Sequence, residues 1–110
     1  MKAGRLRHRV DLQALETVHD SDGAISEEWI SLFPKLSAEI MPLSGRELIA
    51  AASIQSNVQT RIKIRYRNGI TTKMRIVHRG TIYNIESIIP DLDSGIRHLV
   101  LNCSSGMNEG

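Results

Sequence analysis

The stretch TRIKIRYRNGITTKMRIVHRG, residues 60–80, holds no acidic residue and alternates apolar with basic side chains. Ile62, Ile64 and Tyr66 fall on one side, and Arg61, Lys63, Arg65 and Arg67 fall on the other. Met74 and Ile76 then alternate with Lys73 and Arg75. A side-chain period of two marks a strand with one buried face. The stretch therefore predicts two strands with an apolar inner row and a basic outer row. Like charges on neighbouring strands repel. The outer row calls for solvent screening or for an anion, either nucleic acid or an acidic protein surface.

The two strands are expected to pair as a hairpin, and parity dictates the loop between them. A two-residue Asn68-Gly69 turn sets Ile64 opposite Lys73 and Ile62 opposite Arg75, mixing buried and basic faces. A loop from Asn68 to Ile70 instead sets Tyr66 opposite Thr72, Ile64 opposite Met74 and Ile62 opposite Ile76. A three-residue loop or a bulge is expected here, against the usual Asn-Gly preference. The next connection is simpler. A two-residue Arg79-Gly80 loop sets Ile76 opposite Tyr83 and Met74 opposite Ile85.

Outward from this core the chain keeps mostly to the strand period. Residues 8–18 read as a first strand, with Val10, Leu12 and Ala14 alternating with Arg9, Asp11 and Gln13. His19 to Ala24 is a polar turn in which Gly23 supplies a positive φ. Residues 27–33 and 36–41 read as a second strand interrupted at Pro34, where the missing N–H marks an edge, a bulge or a break. The period changes at Ser44. Ser44 followed by Glu47 fits a capping box, and the alanine-rich run after it predicts a helix over 44–56. Strands are expected at 58–67, 72–78, 81–89 and 97–103, with a connecting loop from Pro90 to Gly95. The sum is a mainly β chain: a small antiparallel six-stranded barrel or rolled sheet, with one helix inserted in a loop. Its 110 residues fit a single domain. Flexible ends are expected over 1–7 and 104–110.

Composition narrows the role. The net charge is only +2, but it is segregated. Between Asp11 and Ile30 stand six acids and no Lys or Arg, whereas the middle of the chain is basic. Acidic residues Asp11, Glu16, Glu27 and Glu28 are the candidate complement to the basic face, within one fold or between copies. Apolar residues spread around much of the 44–56 helix, more than a small barrel covers. Cys103 is alone, so no intrachain disulfide forms and a reducing compartment is expected. No signal peptide or membrane-length apolar run is visible, so a soluble chain made in a cytoplasm is expected, with no membrane partner.

Chemistry-bearing patterns are absent from the sequence. The four histidines are scattered without metal-ligand spacing. Asp20, Asp22 and Gly23 look like the start of a calcium loop, but the closing ligands are missing, and a plain turn accounts for them. No Ser stands in a nucleophile elbow, and no Gly-rich phosphate loop is present. No catalytic, cofactor or metal site is assigned, and no enzyme activity is expected. Tyr66 and Tyr83 fall on the apolar side of their strands, so base stacking is not expected. Any DNA contact would run through phosphates.

Four blocks carry a family resemblance: MKAGRLRHRVDLQ at the start, Asp20 to Trp29, AEIMPLSGRELIAA and RIKIRYRNGITTKMRIVHRGTIYNIESI. In this order and spacing, from about Gly4 to Cys103, they resemble the phage head–tail joining family. These are head-closure or connector proteins of long-tailed phages and prophages. Relatives often continue as strand after Trp29, where this chain has Pro34. The resemblance implies a small β-barrel with a helix in a long loop. It implies a homo-oligomeric ring, commonly a dodecamer, at the portal vertex of the virion neck. Its partners there would be a portal or adaptor protein and a tail or tail-terminator protein, with genomic DNA passing without sequence reading. Before assembly the chain would stand in the host cytoplasm.

Those implications assign three candidate surfaces. The basic face of Arg61, Lys63, Arg65, Arg67, Lys73 and Arg75 is the subunit or DNA contact. The acidic residues named above are its complement. Leu43, Ser44, Gly45, Arg46, Leu48, Ile49 and Ala52, on the helix and the loop before it, are the ring, adaptor or portal contact. The alternative reading is a free-standing barrel that binds nucleic acid through the basic hairpin.

Overall fold

A computed structural model describes residues 6–54, 56–90 and 97–105. The elements follow as β1 (His8–His19), β2 (Ile25–Pro42), α1 (Gly45–Ser53), β3 (Thr60–Arg65), β4 (Met74–His78), β5 (Thr81–Pro90) and β6 (His98–Ser105). The strands close into an antiparallel barrel in the order β1-β2-β3-β6-β5-β4. This is the six-stranded barrel with one inserted helix that the hydrophobic pattern predicts.

Alternate residues of every strand fill the interior. Val10, Leu12, Ala38, Ile62, Ile64, Ile76 and Leu101 are all at most 1% exposed. Leu36, Ile85, Leu99 and Cys103 complete the cluster. Each Ile or Leu taken fully out of water contributes about 1.5–3 kcal/mol, which makes this aliphatic column the main source of stability. Aromatics play little part in it: Phe33 and Tyr83 only pack against its margin.

The predicted β3–β4 hairpin does not form. β3 pairs with β2 and β6, while β4 pairs with β1 and β5. The expected pairs Ile64–Met74 and Ile62–Ile76 are replaced by Ile64 between Ala38 and Leu99 and Ile62 between Ile40 and Leu101. Residues 66–73 cross one mouth of the barrel instead of turning tightly, and Ile70 packs on the core from there. Parity was right because both strands point the same residues inward. Parity names a face and is silent about the neighbour. The Arg79-Gly80 turn does form, with φ of 51° and 82°, and it sets Ile76 opposite Tyr83. Positive φ at both central residues suits the right-handed twist of the strands it joins.

Three boundaries also move. β2 runs unbroken through Pro34, because the irregularity there is a bulge: Val10 faces Leu36 and Leu12 faces Phe33, leaving Pro34 and Lys35 outside the ladder. A bulge needs no N–H from its extra residue. At the N-terminus Leu6, inside the segment expected to be flexible, is buried. At the other end Ser104 and Ser105 belong to β6, paired with Asn84 and Tyr83. The remainder of those two segments, and most of the Pro90–Gly95 loop, lies outside the described residues.

The barrel has two distinct ends. At one end β1 and β2 outrun their neighbours. β1 pairs with β4 only from Asp11 to Ala14, and β2 pairs with β3 only from Ala38 to Pro42. Beyond Ala14 the two strands pair with each other alone, out to His19 opposite Ile25. They form a projecting arm about 17 Å long, at about 3.4 Å per residue. Helix α1 leaves from the opposite end, between β2 and β3.

Candidate assembly surfaces

The basic residues do not share a face. In the closed order β3 and β4 stand across the barrel from each other, separated by two strands either way round. Arg61, Lys63 and Arg65 form a row on one wall, whereas Arg75 stands on the opposite wall, with Lys73 just before it at the end of the crossing segment. Arg67 lies in the crossing segment, its guanidinium 4.3 Å from the centre of the Phe33 ring. The expected continuous cationic hairpin is thus two patches. Several of its members have partners in the fold. Arg61 pairs with Glu47. Arg75 donates from Nε to Gln13 Oε1 at 2.8 Å and stands 4.1 Å over the Trp29 ring. Partial burial there pulls the Arg75 pKa down, and Asp11 opposes the shift. Tyr66 corrects a further expectation: it lies past the end of β3 and is 44% exposed.

The acidic residues are divided as well. Asp11 belongs to a polar ladder, accepting from Ser31 Oγ and from Gln13 Nε2. Glu16 stands directly opposite Glu28 across the arm, and Glu27 stands opposite Thr17. Glu27 and Glu28 are consecutive in one strand, so they point to opposite faces. One face of the arm carries Leu15, Thr17, His19, Ile25, Glu27 and Trp29, and the other carries Ala14, Glu16, Val18, Ser26, Glu28 and Ile30. The expected acidic face is therefore an acidic arm, negative on both sides. Its tip is held by Asp20, whose Oδ1 accepts from the amides of Asp22 at 2.9 Å and Ala24 at 2.8 Å. Gly23 takes a φ of 84° there. This is the turn that the sequence implied.

Helix α1 begins where the capping box placed it. The Glu47 amide donates to Ser44 Oγ at 3.2 Å, and the Ser44 amide donates to Glu47 Oε1 at 3.0 Å. The bond from the Ser44 amide, and then Arg61, hold the Glu47 carboxyl below its ordinary pKa. The helix ends at Ser53, short of the expected Ser56, when the Ile54 amide turns back to Ala51. Both flanks are pinned to the barrel: the Leu43 amide donates to Gln59 O, and the Gln59 amide to Cys103 O, each at 2.9 Å. Between those pins the helix buries none of its residues. Leu48 is 40% exposed, Ile49 74% and Ile54 77%. Gly45, Arg46 and Ala52 are also exposed, while Leu43 is half-buried. Exposed apolar side chains thus spread around the predicted helix surface, with Leu48 and Ile49 on α1 and Ile54 just past its end.

Sequence reasoning missed Leu15, Ile25 and Trp29 as surface features. The signal was available in the lengths. β2 spans 18 residues and its neighbour β3 only six, so most of β2 has no third strand to cover it.

A family profile and a curated relative name one family. The profile described as "Phage head completion protein" matches residues 1–106. "Head completion protein gp7" of Enterobacteria phage HK97 is 28% identical over 90 residues, covering 77% of this chain and 80% of that protein. The solution structure of protein SF1141 from Shigella flexneri 2a superposes with a TM-score of 0.75 at 32% identity, covering 98% of this chain and 99% of that one. The chain belongs to the phage head completion protein family.

Proposed function

We infer that the protein assembles as a ring at the portal vertex, closes the DNA-filled head and joins it to the tail. Family membership gives the coarser role, a structural component of the phage head. The finer reading rests on one observation: a closed barrel carries an acidic arm at one end and an uncovered apolar helix at the other. A subunit in a stacked assembly needs separate surfaces for its sisters and for the layers above and below. The exposed apolar residues Leu48, Ile49 and Ile54 suit a portal or adaptor ring. The acidic arm and the Arg61–Lys63–Arg65 row suit successive sisters in a ring, in which their opposite charges meet. The nucleic-acid reading loses its premise, because its continuous basic face is split between opposite walls.

Particles assembled without the protein test this directly. The expected products are DNA-filled heads that leak or lack tails, restored by the wild-type chain and not by an Ile49→Asp, Ile54→Asp variant. Normal infectious particles in its absence would overturn the reading.

A further inference from the structure

We propose that the outer edge of β2 on the arm, from Ile25 to Ser31, accepts an added strand from another polypeptide, one with two consecutive Lys or Arg residues and an apolar residue two positions from the pair. Among the described residues this edge has no third strand: β3 joins β2 only from Ala38 onward. The barrel wall has no such edge, because its strands close on themselves. Unpaired strand edges are templates for β-augmentation, and proteins that avoid it blunt them with proline or with bulges. Here Pro34 and the bulge beside it protect only the stretch next to the barrel.

The charge pattern specifies the occupant. A strand laid along this edge places one residue opposite each β2 residue, on the same face. Glu27 and Glu28 then ask for two adjacent cations, one on each face. Ile25, 67% exposed, asks for an apolar neighbour two positions from the first of them. The same pattern rejects a second copy of the arm. Its edges carry Glu16, Glu27 and Glu28 and no cation, and like charges directly opposite destabilise. The site does not depend on the neck assignment, since strand capture by the isolated protein is read without particles.

Titrating the isotope-labelled full chain with a nine-residue capped peptide, Thr-Val-Thr-Arg-Lys-Thr-Val-Thr-Val, which sets a valine opposite Ile25 in either strand direction, tests it. The expected result is saturable amide shifts confined to residues 15–31, with slowed hydrogen exchange along 25–31. The Glu27→Lys, Glu28→Lys variant should bind about tenfold more weakly or worse. It should gain affinity for the same peptide with Glu-Glu in place of Arg-Lys. Equal binding of both peptides by the wild type, shifts centred on α1, no shift at all, or self-association through the arm would each overturn the proposal.

Discussion

The guanidinium carbon of Arg75 stands 4.1 Å above the centre of the Trp29 ring. That contact ties the root of the arm to β4, the strand that closes the barrel against β1. Cation–π pairs of this kind are worth about 0.5–1 kcal/mol when exposed and about 2 kcal/mol when desolvated. Trp29 is the sole tryptophan, so its emission reports the contact. Arg75→Gln is expected to red-shift that emission. A double-mutant cycle with Trp29→Leu should return a coupling of about 1 kcal/mol. Zero coupling in urea unfolding would show that the contact does not brace the arm.

The helix should melt without the barrel. Ser44→Ala removes the cap and is expected to cost about 1 kcal/mol of local helix stability. Because no residue of α1 is fully buried, the global unfolding midpoint should barely move. Hydrogen exchange at the Leu48 amide, bonded to Ser44 O at 2.9 Å, separates local from global opening. The lowered Glu47 pKa adds a sign. Its support is present above the ordinary carboxylate pKa and is lost as pH falls through the lower folded value, so α1 should fray in acid first.

Two isoleucines should behave oppositely. Ile64, fully buried, is expected to cost about 2–5 kcal/mol when cut to alanine. Ile49, 74% exposed, should stay within about 0.5 kcal/mol. Chemical denaturation of both variants settles the contrast.

His78 makes the α1 end of the barrel sensitive to acid. Desolvation lowers its pKa, and the charges of His8 and Arg79 add to the effect. The His8 ring meets it edge-on at 5.0 Å. The unfolded chain therefore takes the proton first, at about pH 6.5. Stability should fall as pH drops below that value. His78→Gln should flatten the slope in a pH series of thermal midpoints.

Cys103 is sealed in the core, and burial, aided by Glu86, pushes its pKa up to about 12. Iodoacetamide should modify it at neutral pH only as fast as the barrel opens. A rate independent of added denaturant would contradict that.

Local instructions proved legible, and global ones did not. The Ser44–Glu47 box, the Arg79-Gly80 turn and the inward rows of β1, β3 and β4 are written within a few residues, where geometry admits few readings. Strand neighbours are not. The same alternation in β3 and β4 that predicted a hairpin is satisfied by two strands on opposite walls. The charge surfaces failed for that reason, since a cluster in sequence became two patches in space. The split of Glu27 from Glu28 was readable from strand parity alone.

The barrel closes through a narrow seam. From Asp11 opposite Val77 to Ala14 opposite Met74, it joins segments separated by most of the chain. Long loops close late because their entropy is lost before any pairing rewards it. The arm hairpin can zip by itself, whereas this last stave must wait for the rest. A pull on the arm therefore loads a late-made join only four residue pairs long.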